Sequence, residues 1–144
     1  MFLEAAMLSS SSNNSTFRID DGASFGDRVR IRFTTTTNQI NVLSTSGLSG
    51  QPNIDYTAND VTNQNKIALR YQVNQIDLFV NGTKVGTSTG NSSPTGLNNL
   101  QLGTEGKVKE VRVYNTALSD SELEYLTSYR SLSEMVTELN LNAL

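Results

Sequence analysis

The sequence predicts an all-β domain, an antiparallel β-sandwich closed by a short C-terminal helical tail. Three observations point there. Short apolar runs alternate with period two, most sharply in Arg28-Val29-Arg30-Ile31-Arg32-Phe33, which sets Val29, Ile31 and Phe33 on one face and three arginines on the other. Between the runs stand clusters of Ser, Thr and Asn, together 49 of the 144 residues, whose short polar side chains favour turns. After Asn115 the apolar spacing becomes helical.

In chain order, strands are predicted at 2–8, 16–19, 28–33, 39–43, 66–72, 75–80, 84–87, 97–102 and 107–114, about nine at the spacing of a sandwich. In Ile67-Ala68-Leu69-Arg70-Tyr71 and Ile76-Asp77-Leu78-Phe79-Val80, odd and even positions separate aliphatic side chains from polar or aromatic ones. Asn81-Gly82 is the sharpest hairpin signal, because a type I′ turn needs positive φ at both central positions. The alternation assigns Ile31, Phe33, Leu69, Leu78, Val80, Val111 and Val113 to the central core. Ser119-Asp120-Ser121-Glu122 is a capping box, with Leu123 and Leu126 opening a helical face. A second box, Ser131 with Glu134, precedes the apolar stripe Leu132, Met135, Val136 and Leu139. The division is a sandwich over residues 1–118 and a helical tail over 119–144.

The length implies one domain. Leu, Ile, Val and Phe total 37 of 144, about a quarter, above the roughly 20% below which a chain usually stays disordered. With no Cys and no His, the chain has no disulfide, no thiol nucleophile, no imidazole base and no Cys- or His-ligated metal. Carboxylate chemistry, oxygen-ligated calcium and binding without chemistry remain. The net charge of −3 divides unevenly: residues 1–114 carry ten basic and nine acidic side chains, and residues 115–144 carry one basic and five acidic. That is not the broad basic surface that sequence-independent nucleic-acid binding needs. No apolar run reaches the ~18 residues of a membrane span, and residues 1–8 lack the basic start and long apolar stretch of a cleaved signal.

Gly106-Lys107-Val108-Lys109-Glu110-Val111-Arg112-Val113-Tyr114-Asn115-Thr116-Ala117-Leu118-Ser119-Asp120-Ser121-Glu122-Leu123 resembles the closing segment of laminin-G-like, concanavalin-A-like jelly rolls: a core strand, an Ala-Leu pair, then a short Ser-Asp-x-Glu helix. Leu78-Phe79-Val80-Asn81-Gly82-Thr83-Lys84-Val85-Gly86 is similar to a hairpin ribbon of that family, and Lys66-Ile67-Ala68-Leu69-Arg70-Tyr71 to the strand before it. With the Ser/Thr/Asn-rich loops, the combination resembles the lectin-like modules of bacteriophage tail fibres, tailspikes and other virion appendages over residues 2–127. In that family a complete sheet usually begins one or two strands earlier. A strand entered directly at Met1 therefore implies a module of a longer polypeptide, with an edge left for another chain to cover.

The candidate ligand residues follow. Arg28, Arg30 and Arg32 on one strand face have the geometry for bidentate contacts to sulfated, sialylated or phosphorylated glycans. The alternative, preferred from the sequence, is a solvated outer face paired to acids on a neighbouring strand. Asp20, Asp21 and Asp27 flank a glycine-containing loop and could hold calcium, although their spacing fits no defined calcium loop and Asx-turn capping accounts for them more simply. Any ligand site is expected in the loops at one end of the sandwich, around 20–27 and 47–53 or 87–96, since such loops tolerate variation that strands do not. Tyr71 and Tyr114 are candidates for an outward ring, in a chain without Trp. No strand carries the alternating Glu-x-Asp-x-Glu of jelly-roll glycoside hydrolases, so no enzymatic activity is expected.

The resulting expectation is a non-catalytic carbohydrate-binding or adhesion module of a phage appendage, located on the virion, without membrane insertion or nucleic-acid binding. A purely structural virion module is the runner-up and a glycoside hydrolase the third reading. The stripe Leu132, Met135, Val136 and Leu139, too short for a stable isolated helix, is expected to dock at a homo-oligomer contact, with a trimer preferred by the family resemblance.

Overall fold

The computed structural model describes residues 1–11, 15–23, 26–47, 53–90 and 93–129. The chain runs β1 (Phe2–Ala6), β2 (Thr16–Asp20), β3 (Arg28–Phe33), β4 (Gln39–Thr45), β5 (Asn53–Thr57), β6 (Asn65–Gln72), β7 (Gln75–Val80), β8 (Thr83–Thr89), β9 (Asn99–Gln101), β10 (Lys107–Arg112) and α1 (Asp120–Thr127). These strands form two five-stranded antiparallel sheets, ordered β10-β1-β6-β7-β8 and β5-β4-β3-β2-β9. Their inner faces meet to form a sandwich. Leu3, Ala5, Ile67, Leu69, Ile76, Leu78 and Val80 of the first sheet pack with Phe17, Val29, Ile31, Phe33, Ile40 and Val42 of the second. Phe17 and Phe33 meet edge to face, 6.2 Å between centroids, in the geometry that puts a ring's positive edge on its neighbour's negative face.

Alternation places most of this core correctly, and three expectations are corrected. Val113 is 51% exposed, because β10 ends at Arg112 and the chain there leaves the sheet. Val111, opposite Leu3, is only partly buried, and a register shift between Glu4 and Ala5 brings Val108 rather than Lys109 opposite Ala5. Secondly, the sandwich contains a tenth strand, β5, which sequence alone reads as loop. It lies at a sheet edge with Asn53, Asp55 and Thr57 facing solvent, leaving only Ile54 and Tyr56 as an apolar signal. Nor is the first strand an edge: β1 lies between β10 and β6, and the Met1 amine extends its ladder by donating to the Leu69 carbonyl at 2.8 Å. The stripe Leu132, Met135, Val136 and Leu139, with Ser131 and Glu134, lies outside the described residues.

Asn81 and Gly82 have φ of 50° and 86°, as a type I′ turn requires. The turn also holds the helix. The Gly82 amide donates to Thr127 Oγ1 at 3.0 Å, and a Cβ on Gly82 would stand 3.1 Å from that of Ser128. At the side of the sandwich, Gly86 of β8 lets Ile54 of β5 approach so closely that a Cβ would lie 2.5 Å from its Cγ2.

Helix α1 starts with the predicted box: Ser119 Oγ accepts from the Glu122 amide, and Glu122 Oε2 accepts from the Ser119 amide. It contacts β6, β7 and β8, covering the outer face of the first sheet, where Leu123 packs on Phe2, Ala68 and Phe79 beside Tyr114, Leu118 and Leu126. Next to that patch is an ion-pair network centred on Asp77, whose side chain is wholly shielded from solvent. Arg70 Nη2 lies 2.8 Å and Lys84 Nζ 2.9 Å from its carboxylate, and Thr87 and Gln75 donate to it. Both cations also reach Asp120 in the first turn of α1.

Leu78→Ala is expected to lower stability by about 2–5 kcal/mol in denaturant melts, since it empties fully buried volume; a loss below about 1 kcal/mol would mean that β7 has the opposite phase. Burial of Asp77 acts to raise its pKa, but the hydrogen bonds from Thr87, Lys84, Arg70 and Gln75 hold it down at about 2. Its folded pKa therefore lies below the ordinary value of 3.8. The stabilisation is complete above pH 3.8 and is lost as pH falls through 2, about 2 kcal/mol in all. Acid titration of stability should show this loss in the native chain and a smaller one in Asp77→Asn.

Candidate functional site

With α1 on the first sheet, the outer face of the second sheet carries the alternate side chains that strand phase turns away from the core. Three of its cross-strand rows hold the candidate residues. Arg18 of β2 stands between Gln101 of β9 and Arg30 of β3, and Arg30 is followed by Leu43 of β4 and Asn53 of β5. Thr16, Arg32, Asn41 and Asp55 form a second row, and Asn99, Asp20, Arg28 and Thr45 a third. Four guanidinium groups thus share one sheet face. The alternation in residues 28–33 finds three of them. Arg18 joins through the β2–β3 register, which sequence does not show.

The carboxylates nearby do not neutralise this group. Asp20, buried, takes Arg18 Nε at 2.6 Å and also accepts from Asn99 Nδ2 and the Gly22 amide. Burial works to raise its pKa, but the bonds from Asn99, Gly22 and Arg18 leave it below the ordinary carboxylate range. Asp55 is one residue too far: Arg30 Nη2 donates to Asn41 Oδ1 at 2.9 Å, and Asn41 Nδ2 donates to Asp55 Oδ1 at 2.8 Å. Among the described residues, no ion pair joins a carboxylate to Arg28, Arg30 or Arg32, and the Nε–H of each is buried without an acceptor. The expectation of cross-strand acids is therefore not met at Arg30 or Arg32. Burial first, then the charges of Arg32, Arg28 and Arg18, push the Arg30 pKa down to about 10. A guanidinium at that value is still charged at neutral pH, so the face presents a standing positive field.

The three aspartates of the end loop do a different job. Gly22 and Ala23 amides donate to Asp20 Oδ1 and Asp21 Oδ1, which are Asx turns, and Asp21 Oδ2 accepts from the Asp27 amide. Asp27 ties three loops together: Oδ1 accepts from the Gly47 amide at 2.7 Å, and Oδ2 from the Thr95 amide and hydroxyl and from Ser46 Oγ. The Thr95 and Gly47 amides hold its pKa below the ordinary range. Among the described residues, no group of three or more His, Cys, Asp or Glu side chains converges in a way that could hold a metal ion. Parts of loops 20–27, 47–53 and 87–96 lie outside the described residues.

A pair of carboxylates does face one another, on the first sheet. Glu4 of β1 is directly opposite Glu110 of β10, beside a cavity of about 120 Å³ lined also by Phe2, Lys66, Arg112, Tyr125 and Leu126. Glycoside hydrolysis needs one carboxyl that keeps a proton and one that does not. Here both meet cations: Lys109 Nζ lies 2.9 Å from Glu4 Oε1, and Arg112 Nε pairs with Glu110. Each carboxylate of the pair is thus ion-paired. Of the tyrosines, Tyr71 packs against the main core and Tyr114 against the patch under α1; the fully outward ring is Tyr125, 72% exposed on the helix.

Residues 5–124 match the family model described as the concanavalin A-like lectin/glucanases superfamily. No curated protein is significantly similar to the chain. Among solved structures, the CBM40 module of the Ruminococcus gnavus IT-sialidase bound to α2,3-sialyllactose superposes with a TM-score of 0.70 at 19% identity, over 88% of this chain and 80% of that one. The leech intramolecular trans-sialidase complexed with 2,7-anhydro-Neu5Ac superposes with a TM-score of 0.69 at 23% identity, over 90% of this chain. The chain spans 23% of the length of that leech protein.

Asp27→Ala should free the loop contacts without disturbing the core. Amide exchange at Gly47 and Thr95 is expected to rise at least about tenfold, with exchange at Leu78 unchanged. Unchanged exchange at all three positions would mean that Asp27 does not hold these loops.

Proposed function

The chain belongs to the concanavalin A-like lectin/glucanase superfamily, and from that premise we propose that it is a non-catalytic carbohydrate-binding module whose ligand is an acidic sugar held on the outer face of the second sheet. One observation carries the reading: Arg18, Arg28, Arg30 and Arg32 share the sheet face opposite the helix-covered one, and three of them have no carboxylate partner among the described residues. Uncompensated guanidinium groups cost stability, and they fit the planar carboxylate or sulfate of an acidic sugar in bidentate pairs. The likeness to a module bound to sialyllactose supports the same ligand class. The cation-paired state of Glu4 and Glu110 supports binding without hydrolysis.

The wider setting we propose is a virion appendage such as a phage tail fibre, in which the module recognises a host surface glycan. The resemblance of the β7–β8 hairpin and the β10–α1 segment to such modules supports it. Self-association through Leu132, Met135, Val136 and Leu139 belongs to the same proposal and rests on their apolar spacing, with the trimer preferred by the family resemblance.

Titration with acidic and neutral oligosaccharides tests the binding reading. 3′-Sialyllactose should bind and lactose should not, and Arg30→Gln should weaken binding about ten- to a hundredfold, the effect of losing a charged hydrogen bond. A chain that binds no member of an acidic or neutral glycan array is a structural module instead.

A further inference from the structure

We infer that the ligand of the arginine face is a glycan carrying several anionic groups along its chain, not one with a single charge; the inference rests on the acidic-sugar reading above. Arg28, Arg30 and Arg32 occupy alternate positions of β3 and project on one side. Successive guanidinium groups therefore start about 6.7 Å apart, and the row spans about 13 Å. The carboxylates nearby make other contacts: Asp20 pairs with Arg18, and Asp55 accepts from the Asn41 amide without forming an ion pair with the row. Three cations remain, with nothing but a neutral amide on Arg30.

A sugar with one carboxylate offers two oxygens, enough for one guanidinium fork. It would leave the other two cations in mutual repulsion in a partly dehydrated row. A chain with a charge on successive residues can meet all three, and it matches the direction in which β3 runs. Asn41 fits that reading too. A carboxylate at position 41 would face Arg30 at hydrogen-bond distance and neutralise the middle of the row, whereas the amide orients Arg30 and leaves its charge for an outside ligand.

The test measures the affinity of the full chain for a heparin hexasaccharide, for 3′-sialyllactose and for a single-stranded DNA 12-mer, each over a range of salt. The hexasaccharide is expected to bind at least about tenfold more tightly than sialyllactose at low salt. Its log K should fall with log salt with a slope of about −2 to −3, reduced by about one in each of Arg28→Gln, Arg30→Gln and Arg32→Gln, as release of one counterion per lost contact requires. Asn41→Asp should weaken hexasaccharide binding about tenfold or more with the thermal midpoint unchanged or raised, which separates charge neutralisation from misfolding. Equal binding of sialyllactose, or full affinity in a folded Asn41→Asp, overturns the inference and leaves the acidic-sugar reading standing. DNA binding as tight as the hexasaccharide overturns it by showing that the face reads charge and not sugar. If no sugar binds, the inference and the reading both fall.

Discussion

The packing of the two inner faces fixes everything that the outer faces can do. Ile31, Phe33, Ile40 and Val42 meet Ile67, Leu69, Ile76 and Leu78 with almost no exposure, so neither sheet can slip by one residue without turning a whole apolar row into water. That lock holds the intervening residues outward whatever their character. Arg28, Arg30 and Arg32 face out because Val29, Ile31 and Phe33 face in, and the same rule brings Asp77 and Phe79 under the helix. A functional surface on such a fold is inherited from the core's phase, and its rigidity comes from β2, β3 and β4, all paired on both sides.

The two outer faces handle charge in opposite ways. On the first sheet, Arg70 and Lys84 are matched by Asp77 and Asp120, with Thr87 and Gln75 satisfying the remaining acceptors and α1 lying alongside. Buried charge of that kind is tolerable because every partner is present. On the second sheet, among the described residues, Arg18 alone of the four arginines has an acid, and the row on β3 has three buried Nε–H groups without acceptors. A protein that can build the first arrangement does not need the second for folding. The lowered pKa of Arg30, caused by burial and then by its own neighbours, is the electrostatic mark of that difference.

Much of the fold is legible in the sequence because alternation, the Asn81-Gly82 turn and the Ser119–Glu122 box are local signals. β5 is not, since an edge strand with a solvated face needs only Ile54 and Tyr56 to be apolar, and its pairing with β4 is a long-range fact. Val113 misleads for the complementary reason: it keeps the alternating pattern one step beyond the last residue that the sheet retains. At the candidate site, the three arginines of β3 are readable, but their significance lies in what stands opposite. Cross-strand register pairs Arg30 with Arg18 and Leu43, not with the acids that a solvated face would favour, and no spacing rule predicts it. Asp20, Asp21 and Asp27 show the reverse case, where the simpler local role of capping turns and tying loops accounts for nearly every carboxylate oxygen.

The placement of charge also favours the proposed binding role over a catalytic one. Hydrolysis of a glycosidic bond asks two carboxyl groups in one cleft to hold different protonation states, which requires environments that differ. Among the described residues, each buried acid is instead matched to a cation: Asp20 to Arg18, Asp77 to Arg70 and Lys84, Glu4 to Lys109. Hydrogen bonds that include those from the paired cations hold Asp20 and Asp77 below the ordinary carboxylate range. Among the described residues, Arg28, Arg30 and Arg32 of β3 have no carboxylate partner, and arginine neither donates nor accepts a proton at neutral pH. A face built from groups that hold charge but do not transfer protons suits the proposed role of attracting and orienting an acidic sugar.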